Sequence, residues 1–353
     1  MTAEAGARRG AYGAVSTALA LRGDRELADL LESAEPLGTG IGGRAARLEI
    51  EGTGVFVKRV PLTARELRPE RLRSTANVFD LPAFCQYGVI SPGFGAWREL
   101  AAHIMTTDWV LADRYAGFPL MYHWRVLPDT LPPPPAELAD IDRAVAYFGG
   151  GDAVRGRLEA LRTAPASLVL FLEHIPRTLH DWLAEEVRGG EERADRAAAL
   201  VEHRLTEGAA FMGAEGLLHF DGHFRNILAD GERLYFTDFG LAVSDRFALS
   251  PAESAFLTHH RTYDHCYLRS YLVNWLITAL YGHQRAEREA LIRALATGAE
   301  PPPGPPGIRA LLTRHAPIAA VLTEFYGRVQ DDSPDTPYPA ETLRRLLAAT
   351  SRP

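Results

Sequence analysis

Apolar residues fall in two short runs, 45–50 and 55–60, on either side of Glu51-Gly-Thr-Gly54, and runs of this length around a glycine turn predict an antiparallel hairpin. Trp97, Leu100, Ile104 and Leu111 then lie on one side of a helix predicted over 96–111. Ser167–Leu172 is an unbroken apolar run of strand length, followed by Thr178, which is placed to cap a helix over 179–183. Val201, Leu205, Ala209 and Met212 recur at helical spacing and stop before Gly216. Ile227-Leu228 and Leu234-Tyr235-Phe236 read as two short strands joined through the turn signal Ala229-Asp-Gly-Glu232. The apolar stretch from Tyr267 to Tyr281 predicts a buried helix.

Between these elements the pattern changes character. Val15, Leu19, Leu21, Leu27, Leu30 and Leu31 predict a short helical extension within 12–34. Ala64–Arg73 is dense in charge, is interrupted by Pro69 and reads as a solvated surface segment. The proline run from Pro128 to Pro135 breaks the chain before a charged helical insertion that ends near Arg162, and the Pro/Gly run from Pro301 to Gly307 is expected to set the last helices apart. There is no internal repeat.

Two motifs carry the chemistry: Leu218-His-Phe-Asp-Gly-His-Phe-Arg-Asn-Ile-Leu228 and Tyr235-Phe-Thr-Asp-Phe-Gly240. A transferring phosphoryl group bears its charge on oxygen. A protein that catalyses its transfer therefore needs hard oxygen ligands for Mg²⁺ and a carboxylate beside the incoming hydroxyl. Asp221, Asn226 five residues later and Asp238 seventeen residues after Asp221 supply that set, and the predicted 227–236 hairpin brings Asn226 and Asp238 to the same end.

The two motifs together resemble the catalytic and metal loops of the protein-kinase-like superfamily, over roughly residues 37–282. The resemblance implies an α+β, bilobal fold with a small antiparallel β N-lobe and a mainly helical C-lobe. The implied organisation is an extension over 1–36, an N-lobe over 37–172 with insertions near 60–95 and 128–165, a C-lobe over 173–300, and terminal helices over 301–353. It implies ATP and Mg²⁺ as cofactors, with Asp221 as base and Asn226 and Asp238 on the metal. Gly38, Gly40 and Gly43 match G-x-G-x-x-G; the same letters mark dinucleotide sites, but a hairpin is predicted after them where such a site has a helix. Val55-Phe-Val-Lys58 resembles the family's lysine strand, making Lys58 the phosphate anchor. Glu99 is its expected partner, 41 residues on, with Glu66 and Glu70 as rivals. Glu173-His-Ile175 would offer backbone groups to adenine, and Asp264 would brace the catalytic loop.

The chain also departs from the family's pattern. Phe220 stands where protein kinases usually have an arginine that reads a phosphorylated activation segment, which argues against that control, and the 238–264 segment is short. His223, two residues after Asp221, resembles aminoglycoside- and choline-type phosphotransferases, while Arg225 resembles a tyrosine-kinase variant. A serine/threonine protein kinase is the first reading and a small-molecule phosphotransferase the second. A nucleotide-binding pseudokinase-type interaction module is the non-enzyme alternative, opposed by the retention of Lys58, Asp221, Asn226 and Asp238.

Composition narrows the partners. A net charge of −7 argues against nucleic acid, and no apolar stretch reaches a membrane span. Cys85 and Cys266 stand far apart, the twelve histidines show no zinc spacing, and the first residues lack a signal-peptide core, all pointing to a cytoplasmic protein.

Overall fold

The computed structural model describes residues 3–40, 43–88, 91–130 and 139–350 of the 353. The protein is α+β, with an antiparallel sheet and a helical C-terminal part. It divides into two compact units. The first comprises Met1–Ile175, Asp238–Ala242 and Phe247–Ser250; the second comprises Pro176–Thr237, Val243–Arg246 and Pro251–Pro353.

In the first unit, α1 (Ala3–Ala20) and α2 (Asp24–Glu32) precede β1 (Glu35–Gly40), β2 (Gly43–Ile50) and β3 (Thr53–Leu62). Then come α3 (Ala96–Leu111), β4 (Met121–Pro128), α4 (Ile141–Tyr147), α5 (Asp152–Arg162) and β5 (Ala166–Glu173). Among the described residues the sheet has five strands in the order β1-β2-β3-β5-β4, every pair antiparallel. The unbroken apolar run of β5 is explained by its place between β3 and β4, where Ala166–Leu172 are all buried. The predicted 45–60 hairpin is β2–β3, turning at Glu51-Gly52.

Alternation along β3 decides which residues meet α3. Lys58, Val60 and Leu62 share one face of the strand, and Val60 and Leu62 pack with Ala96, Trp97 and Leu100 of α3. A second cluster joins Val78, Phe79, Leu81, Cys85 and Phe94 to Ala144, Val145, Phe148, Val154 and Leu158, so the 60–95 segment and the α4–α5 insertion share one core.

Two sequence expectations need amendment in this unit, and a third is untested. The extension expected as one short helix within 12–34 is two helices, the first starting at Ala3; Leu21, counted in the predicted helix, is 81% exposed at the break between them. The 64–73 stretch is not uniformly solvated, because Glu66 is only 1% exposed and has partners for its charge. The 131–135 part of the proline run, like Ile41 and Gly42 of the glycine motif, lies outside the described residues.

In the second unit, α6 (Leu179–Arg188), capped by Thr178 Oγ1, and α7 (Glu191–Ala214) lead to β6 (Leu217–Leu218). The hairpin β7 (Ile227–Ala229) and β8 (Leu234–Phe236) follows, then β9 (Val243–Ser244), which pairs with β6. The remainder is α8 (Pro251–His259), α9 (Tyr263–Tyr281), α10 (Arg285–Ala296), α11 (Pro306–Asp331) and α12 (Ala340–Thr350). Leu268, Leu272, Val273, Leu276 and Ile277 of α9 are buried, each worth about 1.5–3 kcal/mol relative to exposure. The Pro301–Gly307 run does not set the last helices apart. It ends in the first turn of α11, where Gly307 and Ile308 donate to the Asp195 carboxylate of α7 at 2.9 and 2.8 Å.

Candidate functional site

The first unit gathers three predicted residues around one ammonium. The β3 face that packs on α3 aims Lys58 at that helix. Its Nζ lies 2.7 Å from Glu99 Oε1 and 2.8 Å from Asp238 Oδ1. Lys58 and Glu99 are almost fully buried, whereas the Asp238 side chain is 39% exposed. Burial opposes the charged amine, but the carboxylates of Asp238 and Glu99 outweigh it and hold the Lys58 pKa above its ordinary value. The rivals fall away: Glu66 is engaged elsewhere, and Glu70 belongs to a short 3-10 turn over Pro69–Arg71.

Asp238 is fixed by backbone and ring packing. Its φ of 61° is in the left-handed region, a conformation that a non-glycine residue keeps only when its surroundings enforce it. Phe239, fully buried, lies edge-on to His103 of α3 at 5.0 Å and 6.2 Å from Phe118. Gln86 donates to the Leu241 carbonyl, and Thr75 Oγ1 accepts from Ala248 N at 2.8 Å. The 60–95 segment thus holds the chain on the C-terminal side of Asp238.

The glycine motif closes the β1–β2 hairpin, with Gly40 opposite Gly43 and Gly38 at a register shift. Strand β2 follows the motif, not the helix of a dinucleotide turn. Gly43 has a φ of 128°, and a Cβ there would meet the Arg59 carbonyl oxygen at 2.1 Å. Glu173 and Ile175 are differently placed. The Glu173 N–H donates to Leu120 O at 2.7 Å, and its carboxylate takes Arg8 Nε and Nη2 at 2.9 and 2.6 Å. Arg8 also donates to the Ala116 and Phe118 carbonyls. Glu173 is therefore a latch for α1, and its N–H is already committed; Ile175 makes no hydrogen bond among the described residues.

The second unit builds a loop around Asp221. Asn226 Nδ2 donates to the Asp221 carbonyl at 3.1 Å and to Oδ2 at 3.0 Å, which leaves the amide oxygen of Asn226 as its metal-type donor. Thr237 N donates to Asn226 O at 3.1 Å, continuing the β7–β8 ladder up to the residue before Asp238. His219 Nδ1 accepts from Asp221 N at 3.3 Å, so the ring carries its proton on Nε2, which meets Thr237 O at 2.9 Å. Asp264, at the start of α9, accepts from His219 N at 2.7 Å and Phe220 N at 3.1 Å. Burial pushes this carboxyl up to about 6, against the two N–H donors that favour its charged form.

Phe220 has a φ of 63° and is 1% exposed. Its ring stacks on Tyr263 at 4.4 Å and lies 5.6 Å from Phe256 and 5.8 Å from His260. The position is an aromatic anchor for the loop. His223 Nδ1 accepts from Arg225 N within the loop, and its Nε2 is 3.9 Å from Asp221 Oδ1.

The structure therefore brings Lys58, Glu99 and Asp238 together in one unit and Asp221 and Asn226 together in the other. Asn226 and Asp238 offer oxygen donors, the type Mg²⁺ prefers. Among the described residues no cluster of three or more His, Cys, Asp or Glu side chains is arranged to hold a metal. Lys58 is the only lysine among the 38 Lys and Arg residues of the sequence. Guanidinium serves at every other basic position, yet here an amine is kept. The Glu66–Arg157 and Arg8–Glu173 pairs, 91 and 165 residues apart in sequence, left no local signal. No known family model matches the chain, and no curated protein matches it.

Proposed function

We propose that this chain is an ATP- and Mg²⁺-dependent phosphotransferase of bilobal protein-kinase-like fold that acts on a hydroxyl acceptor. The observation that carries the reading is the chain's sole lysine, buried on a strand and paired with both Glu99 and the aspartate of Asp-Phe-Gly. Such a lysine is poised to exchange Asp238 for phosphate oxygens while Glu99 keeps it in place. When bound, Mg²⁺ supplies charge neutralisation on those oxygens, and Asn226 and Asp238 would hold it. Asp221 orients the acceptor hydroxyl and takes its proton as the new P–O bond forms and the bond to the leaving diphosphate breaks. His219 and Asp264 keep the backbone at Asp221 in register.

The acceptor is read first as a serine or threonine of a protein. A compact organic alcohol is the second reading, favoured by the half-buried His223 and Tyr271 rings, 6.4 Å apart beside Asp221. Both are tested by incubation with γ-labelled ATP and Mg²⁺, with cell lysate in one arm and an aminoglycoside panel in the other. Asp221→Asn is expected to abolish transfer with nucleotide affinity intact, and Asp238→Asn to weaken metal-dependent nucleotide binding as well. A calorimetric titration that finds no ATP binding in the presence of Mg²⁺ would remove the reading.

A further inference from the structure

The first turn of α3 is tied down residue by residue. Ala96 N donates to Glu66 Oε1 at 2.9 Å, Trp97 Nε1 to Glu66 O at 3.0 Å, and Arg98 Nε to Thr75 O at 2.7 Å. The next residue is Glu99, which holds Lys58. Three consecutive anchors to the 60–95 segment thus set the rotation and height of the turn that carries the fourth. Gly95 permits this approach: with a φ of 131°, a Cβ there would come 2.7 Å from Glu66 Oε1.

The Glu66 carboxylate is itself held from the inserted helices. Arg157 of α5 donates from Nη1 to Glu66 Oε2 at 2.9 Å and from Nε to Gly93 O at 3.2 Å, and its guanidinium lies 5.0 Å from the Phe79 ring centroid. Thr63 adds its N–H at 3.1 Å and its hydroxyl at 2.6 Å. The ion pair is sealed, with side-chain exposures of 4% and 1%. Removing either partner would leave a buried charge without its complement, so the pair is stiff.

We infer that Arg157 is a positioning residue for Lys58, acting through the Glu66 carboxylate that caps α3 and thereby fixing Glu99. The inserted α4–α5 helices are on this account part of the active centre's support. The linkage stands on the first unit alone; only its effect on turnover rests on the nucleotide reading.

Because the chain has one lysine, the linkage can be read without any activity. The probe is acetylation by acetic anhydride of the intact protein at pH 8, with the Lys58 peptide quantified by mass spectrometry apart from the N-terminal amine. Loosening Glu99 removes one of the two carboxylates that hold the Lys58 amine, and the loss of one such charged hydrogen bond should raise the labelling rate about tenfold. That acceleration is expected in R157M and E66Q, to the level of E99Q, with R157K in between. Thermal melts of the same samples separate this from global unfolding. Labelling of folded R157M and E66Q at the wild-type rate would overturn the inference, even if the protein proves to be a phosphotransferase. Should R157M fail to fold, R157K and E66Q decide by the same criterion. If labelling accelerates while the wild-type protein binds no ATP, the linkage stands and the nucleotide reading falls.

Discussion

The surroundings of Lys58 and the loop around Asp221 are built on opposite principles. Lys58 is held by charge: one ammonium between two carboxylates, of which Glu99 sits on a helix that is itself pinned by the buried Glu66–Arg157 pair. The Asp221 loop is held by hydrogen bonds and packing: backbone N–H groups on the Asp264 carboxyl, an imidazole with an assigned proton, and the Phe220 ring in an aromatic stack. A charge-built site is tunable, since whatever competes for the ammonium changes it, but it fails when one charge is lost. A packed loop is less sensitive to salt, titrates only through the Asp264 carboxyl, and fails chiefly when volume is removed.

The largest effect should come from volume. Phe220→Ala is expected to cost about 3–5 kcal/mol, nearly constant from pH 5 to 8 and insensitive to salt, as measured by urea denaturation. A cost that varied strongly over that range would break the contrast. Somewhat smaller, Lys58→Met should cost about 3 kcal/mol at pH 7 by leaving Glu99 buried without its cation. That loss should shrink on acidification as Glu99 takes a proton, a dependence that the Phe220 variant should lack.

The smallest effects have opposite signs in the two regions. Asp264 is raised by burial from 3.8 to about 6, so its contribution to stability is full below 3.8 and is lost as pH rises through about 6. Burial acts to raise Glu66 too, but Arg157, Thr63 and the Ala96 N–H outweigh it and bring the carboxyl below 4.5. Its contribution is therefore full above 4.5 and is lost as pH falls through the lower native value. Denaturation at pH 7, 5.5 and 4 should show wild type gaining on Asp264→Asn toward acid and losing ground to Glu66→Gln at the lowest pH. The Asp264 change should be about 2 kcal/mol and the Glu66 change, only beginning at pH 4, smaller than about 1 kcal/mol. Equal slopes for the two variants would sink the assignment.

Local pattern made much of this legible. The β2–β3 hairpin, the α3 helix, the buried β5 run, the β7–β8 hairpin and α9 all follow from periodicity and turn residues within a dozen or so positions. The spacing of Asp221, Asn226 and Asp238 was also local. What escaped was long-range. Glu66 reads as surface because Pro69 and its charged neighbours are near, while Arg157, which makes its burial affordable, is 91 residues away. Glu173 reads as a backbone contributor because Arg8 is 165 residues distant. The 301–307 run reads as a boundary because nothing nearby tells that Asp195 caps the helix beyond it.

The first unit is discontinuous in sequence, and this bears on how the protein is made. Residues 238–242 and 247–250 belong to it, yet they follow 62 residues of the other unit, 176–237. During synthesis Lys58 can find Glu99 long before Asp238 exists, since the two partners lie 41 and 180 residues downstream. At about 5–20 residues per second, the ribosome needs roughly 3–13 s to pass from residue 175 to 239. For that interval the nascent first unit must keep its only lysine on a single carboxylate, with the pocket of Phe239 unfilled between His103 and Phe118.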